Sequence, residues 1–237
     1  MITRFEHFYL KIKGNRWYLL FSIFCRLGLA YAFIVAGIVK IVGERFASGL
    51  SELHPMGAYL EALHHTGYYY TFIGIAQVVA AILLLIPRTV ALGALLYFPI
   101  IVNIWLLSYA VRFEGSIVTS PLMVLANLYL LVWNYDRLRY ILPFRQFSDL
   151  EIVQKPKKYS TKSPFLFFSG VVITVALAIL FARFGYDVVP RNSLSDCKKQ
   201  FENTKNEAAG FEFCECIHGE GQPLDGCLKE YENSIEK

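Results

Sequence analysis

Residues 68–111 read YYYTFIGIAQVVAAILLLIPRTVALGALLYFPIIVNIWLLSYAV, and Arg88 is the single charged side chain among them. A helix that crosses the hydrocarbon core needs about 20 mostly apolar residues. Pro87-Arg88 divides this stretch into two such lengths, 68–86 and 89–111. A connection that short makes the two helices antiparallel neighbours. Toward the C-terminus, Arg112-Phe113-Glu114-Gly115 turns the chain into another apolar length, 116–135. Toward the N-terminus, residues 17–42 form one more, with thirteen uncharged residues between Arg26 and Lys40. A last apolar length, 164–186, follows a basic stretch. The predicted fold is therefore all-α and integral to the membrane. It is an antiparallel four-helix transmembrane bundle plus a fifth transmembrane helix and a small helical disulfide-linked tail. The chain divides into an interfacial segment (1–16), the bundle (17–135), a basic linker (136–163), the fifth helix (164–186) and the tail (187–237).

The charge distribution agrees with two environments. The 237 residues are 55% hydrophobic, above the share usual for soluble domains. Residues 187–237 hold 6 Lys/Arg against 11 Asp/Glu, whereas the remainder holds 17 against 8. The positive residues sit beside apolar spans, where they set orientation and meet lipid headgroups, so nucleic acid is not an expected partner. One side of the membrane would carry Arg4, Lys11, Lys13, Arg16, Arg88, Arg137, Arg139, Arg145, Lys155, Lys157, Lys158 and Lys162. The other side would carry Arg45 and Arg112, with Lys40 at the span edge. Basic loops stay cytoplasmic. The expectation is an inner-membrane protein with a cytoplasmic N-terminus, no cleavable signal peptide and an extracytoplasmic tail.

Two short amphipathic helices are expected outside the spans. Phe5, Phe8, Tyr9 and Ile12 share one face of residues 1–16. Met56, Tyr59, Leu60 and Leu63 share another after Pro55, which suits a helix start. That second helix would lie on the outer surface or dip into the bundle mouth.

Polar groups inside spans are expensive and each needs a reason. Arg26, Lys40, Gln77, Asn103 and Asn127 are the candidates for a pocket that binds a lipid or a quinone headgroup. The simpler reading has Arg26 and Lys40 snorkelling to opposite surfaces and the three amides bridging helices. His54, His64 and His65 lie near Glu52 and Glu61, but their spacing does not make a metal site, and none is expected. No histidine falls within a span, which argues against a transmembrane haem. There is no dinucleotide fingerprint, phosphate loop or nucleophile elbow. No catalytic residue is assigned. The sequence demands no cofactor, and a quinone is the one it accommodates.

The tail contains Cys197, Cys214, Cys216 and Cys227. Helices are expected at 194–208 and 224–236, with Ser193 or Ser195 as the cap of the first. Some fifty residues build only a small core, so cross-links are expected. Cys214 and Cys216 are too close to bridge each other, and each pairs with Cys197 or Cys227; spacing leaves the choice open. An exchange-active disulfide is disfavoured, since there is no C-x-x-C motif and no adjoining basic group. A zinc site with His218 is a further alternative. Cys25, within the first span, reads as a packing residue.

Residues 20–135 resemble the DoxX-like family of small four-helix membrane proteins. The resemblance rests on Arg26-Leu27-Gly28, Gly37-Ile38-Val39-Lys40, Gly74-Ile75-Ala76-Gln77, the leucine run before Pro87-Arg88, and Pro99-Ile100 followed by Asn103-Ile104. The family pattern often has a glutamate where this chain has Gln77, which can hydrogen-bond but cannot carry a proton. The resemblance implies association with quinone-coupled oxidation, thiol redox or membrane oxidoreductase complexes. The expected function is an accessory membrane subunit of a multiprotein complex, with lipid or quinone in the bundle and a tail that docks an extracytoplasmic partner. The alternative is a membrane subunit of a quinone- or thiol-linked oxidoreductase. A transporter is disfavoured, because no inverted repeat or broken-helix pair is visible.

Overall fold

The computed structural model describes residues 4–138, 140, 156 and 158–235. Arg139, Arg145, Lys155, Lys157 and Pro143 of the basic linker lie outside the described residues, as does the side chain of Phe5. Among the described residues there is no strand, only an isolated bridge between Asn15 and Ser160. Five helical lengths are long and apolar enough to cross a membrane, so the chain is an all-α integral membrane protein.

The N-terminal helix α1 (Arg4–Lys13) leads into the first span α2 (Arg16–Val42). Asn15 starts α2 by accepting the Trp17 N–H on its side chain. Gly43 ends it with φ 87°, a left-handed cap that a residue with a Cβ adopts only at a cost. Next come α3 (Pro55–His64), α4 (Tyr68–Leu85) and α5 (Val90–Ala110). The fourth span is broken. A single turn, α6 (Glu114–Ile117), precedes α7 (Thr119–Trp133). Pro121 explains the break: it has no N–H for the Ile117 carbonyl, and its ring crowds that group. The short α8 (Tyr135–Leu138) closes the bundle, and α9 (Phe165–Phe184) is the fifth span.

The first four spans close a ring in which α2 and α5 each touch both α4 and α7. Hydrocarbon gives no hydrophobic push between helices, so close backbone approach must hold them together. Gly37 and Gly74 supply it. A Cβ on Gly37 would stand 2.7 Å from the Gly74 carbonyl oxygen, and one on Gly74 would stand 2.7 Å from that of Gly37. Deeper in the bundle, the Phe33 and Tyr97 rings stack between α2 and α5, and Ala80, Ala81 and Ala94 are fully buried.

The fifth span has no buried residue, yet both its ends are attached. At the end near α1, Ser160 exchanges backbone hydrogen bonds with Gly14 and Arg16, and Asn15 Nδ2 donates to the Lys162 carbonyl at 2.8 Å. Phe167 and Phe168 then pack edge-on against Tyr18, Phe21 and Trp17. At the far end Phe181 meets Tyr109 of α5. Aromatic contacts thus pin the fifth helix to the bundle at each end.

The tail holds three helices, not two: α10 (Leu194–Lys199), α11 (Glu207–His218) and α12 (Leu224–Ile235). Ser193 caps α10 by accepting the Asp196 N–H. The helix expected over 194–208 stops at Lys199, because Asn203 turns the chain with φ 58°. Phe201 then folds back onto Gly210, where a Cβ would stand 2.1 Å from the ring. The sulfurs pair as Cys197–Cys214 and Cys216–Cys227, with Cα separations of 5.8 and 5.9 Å. The tail core is these four cysteines with Val188, Phe201, Phe213, Ile217 and Leu224. Lys198 lies 2.5 Å from the carboxylate of Glu215, the residue between Cys214 and Cys216 in sequence.

Candidate functional site

A cavity of about 650 Å³ lies within the bundle, toward the end that carries the tail. This volume is in the range of small-ligand sites. Helices α2, α4, α5 and α7 form its walls, and the amphipathic α3 is its roof. Pro55 at the first position starts α3 as the sequence suggests, and the His54 side chain caps it. Met56 and Leu60 are buried, while Leu63 and Tyr59 face the cavity. The loop before α3 is held by Tyr70, whose hydroxyl donates to the Glu44 carbonyl and accepts the Phe46 N–H. Arg45 clamps the same loop to α3, reaching the Leu50 carbonyl and Glu61.

The wall is mostly apolar, with few but specific polar groups. Lys40 is 6% exposed and is the one charged residue of the lining. The Lys40 Nζ donates to the Ala36 carbonyl at 2.9 Å and lies 4.4 Å from the centre of the Phe46 ring. Lys40 belongs to none of the ion pairs formed by the described residues. Its stem passes over Gly74, where a side chain would collide with it. Gln77 and Ser120 are almost fully buried on facing helices, and neither Gln77 Oε1 nor Ser120 Oγ has a hydrogen-bond partner. A buried polar atom left unpaired costs about 1–3 kcal/mol, which a hydrogen-bonding occupant would recover. Ser108, by contrast, is satisfied by the Ile104 carbonyl and the Ser116 hydroxyl. Asn103 and Tyr69 line the cavity and are themselves exposed, so they stand at its rim.

Three of the five candidate residues, Lys40, Gln77 and Asn103, thus share one cavity. The other two do not join them. Asn127 is fully buried but bridges helices, donating from Nδ2 to the Ala94 carbonyl of α5 at 3.0 Å. Arg26 lies near the opposite end, where its guanidinium donates to the Leu84 and Leu85 carbonyls at the end of α4. Ser120 is the wall residue that sequence reasoning missed. Its signal was Ser120-Pro121 at the helix break, which turns an otherwise ordinary serine inward.

Above the roof sits the tail, docked on the loops of its own bundle. Arg112 donates to the Val188 carbonyl at 2.6 Å and stacks on Tyr186. Arg191 pairs with Glu114. His54 is 1% exposed, with Nδ1 accepting the Met56 N–H, and its ring centre is 5.9 Å from that of His218. Burial first, and the His218 charge second, push His54 down to about 4. His218 in turn contacts the Pro190 carbonyl. His65 is bound to Glu61 and His64 packs on Tyr70, so the three loop histidines serve three separate contacts. Among the described residues no group of three or more metal-capable side chains forms. Cys25 is buried in the bundle core.

A four-helix membrane bundle with an apolar, cation-bearing cavity under a cystine-linked tail defines the class. No family model and no solved structure matches the chain. The chain is 39% identical over 126 residues to the uncharacterized protein YwoB of Bacillus subtilis, across 51% of this chain and 80% of that protein. It belongs to the same family as YwoB. That kinship brings no activity with it.

Proposed function

We propose that this chain is an accessory membrane subunit that holds a lipid or quinone in its tail-end cavity. The observation that carries the reading is the buried Lys40 ammonium sharing one mostly apolar cavity with the unpartnered Gln77 amide oxygen and Ser120 hydroxyl. Such a wall suits an amphiphile with two features. One is an acceptor, carbonyl or phosphate oxygen, for Lys40; the other is a hydroxyl for Gln77. Asn103 at the rim meets the part that leads out to the bilayer. The DoxX-like resemblance of residues 20–135 fits this reading. So does placement in the inner membrane with the N-terminus in the cytoplasm, which the Lys/Arg asymmetry favours. The tail then lies outside, and its exposed Glu202, Glu212, Glu220 and Asp225 offer an acidic surface to a basic partner subunit.

Purification in mild detergent followed by mass spectrometry of what is retained tests this. The unaltered protein should retain a lipid or a quinone. Lys40→Met should lose it while the bundle stays helical and monodisperse. A retained quinone would favour the alternative role in a quinone-linked oxidoreductase, whereas retained lipid with a stable protein partner favours the accessory role. A protein that retains neither, or a Lys40→Met variant that retains as much, overturns the proposal.

A further inference from the structure

A second cavity, of about 480 Å³, lies at the other end of the bundle and shares no lining residue with the tail-end cavity. Lys13, Arg26 and Arg137 line it together with Asp136, so three cations face one carboxylate. Lys13 is 3.5 Å from the Asp136 carboxylate, which also meets the Tyr9 hydroxyl at 2.8 Å. Among the described residues the two arginines have no such neutralising partner. Arg26 uses Nε and Nη2 on the Leu84 and Leu85 carbonyls, and Arg137 uses Nη1 on those of Pro87 and Arg88. These carbonyls belong to the last turn of α4 and the α4–α5 turn. They fix both guanidiniums in place and leave Arg26 Nη1 and the Nε and Nη2 of Arg137 to bind something else.

The surroundings say what that is. Fixed guanidinium groups favour phosphate oxygens, which accept two parallel hydrogen bonds. Trp133 and Tyr159 on the wall are side chains typical of the depth where headgroups meet hydrocarbon. Leu19 and Ile23 of α2 continue the wall, and Ile23 is exposed on the outside of the bundle. The cavity is thus basic at the level of the span ends and apolar where it meets the bilayer. We propose that it binds the phosphate headgroup of an anionic phospholipid, gripped by Arg26 and Arg137.

The test uses the full chain in detergent micelles and native mass spectrometry, with phosphatidylglycerol and phosphatidylcholine as probes. The expected result is one phosphatidylglycerol retained at least about tenfold more tightly than phosphatidylcholine, a preference that weakens with added salt. Arg137→Gln and Arg26→Gln should each lower phosphatidylglycerol retention about tenfold, whereas Lys205→Gln, exposed on the tail and lining neither cavity, should leave it unchanged. Competition with millimolar inorganic phosphate separates two sources of the ligand. Displacement means that the phosphate group alone suffices, and resistance means that the acyl chains also contribute; either supports a phosphate site. Should Arg26→Gln fail to fold, Arg137→Gln and the salt titration of the unaltered protein still decide. Equal retention of the two lipids, or retention indifferent to Arg137→Gln and to salt, overturns the proposal.

Discussion

Protonating His54 should loosen the roof of the tail-end cavity and the tail above it. The ring caps α3 through Nδ1, is shut off from solvent, and has the His218 ring 5.9 Å away. Burial is the larger cause and His218 the smaller, and together they hold the pKa near 4 rather than the ordinary 6.5; a hydrogen bond with the Arg191 backbone opposes them. In the folded protein the imidazole therefore stays neutral where the unfolded chain would already bind a proton. Its contribution to stability is complete above pH 6.5. It declines as the pH falls from 6.5 toward 4, and is flat below. The difference between 6.5 and about 4 corresponds to about 3 kcal/mol over that window. Other ionisable side chains stand near His54, so the slope of the unaltered protein alone is not diagnostic. His54→Asn isolates it, because asparagine also caps a helix but does not titrate. Hydrogen exchange of the α3 amides should show protection that falls between pH 6.5 and 4 in the unaltered protein and much less in His54→Asn. Parallel pH profiles for the two would refute the assignment.

Gly74→Val should separate α2 from α4, since even a Cβ there meets the Gly37 carbonyl oxygen at 2.7 Å and the Lys40 stem at 2.8 Å. Overpacking of this kind costs about 1–3 kcal/mol, to be read as a lower melting temperature in detergent together with loss of any ligand held by Lys40. Replacing Cys197 and Cys214 by serine opens a loop with a sequence separation of 17 and should cost the tail about 3 kcal/mol. Limited proteolysis should then cut within residues 194–218 while leaving the bundle intact.

The spans were legible because membrane thickness imposes a length on apolar runs, and Pro87-Arg88 and Arg112-Phe113-Glu114-Gly115 punctuate them. The α3 helix was legible for a local reason, Pro55 followed by one apolar face. What could not be read was set by distant contacts. Cys214 was free to choose Cys197 or Cys227 until the Asn203 turn and the Phe201–Gly210 contact laid α10 against α11. Arg26 and Lys40 look alike in sequence, two cations in one apolar helix. They differ because one reaches the open carbonyls at the end of α4 and the other passes over Gly74 into a cavity. Gln77 and Asn127 are likewise both buried amides. Only the Ala94 carbonyl, from another helix, separates a helix bridge from a cavity wall.

The attachment of α9 at both ends has a consequence for the tail. Asn15 and Ser160 anchor the start of that helix, and the Phe181–Tyr109 contact steadies its end, only a few residues before Val188. If the contacts of Arg112 and Arg191 give way, the cystine-linked unit stays on a short leash above the same loops. Its effective concentration there would be in the millimolar range or above, typical of short linkers. Re-docking is then an intramolecular event that a soluble competitor at micromolar concentration would rarely win.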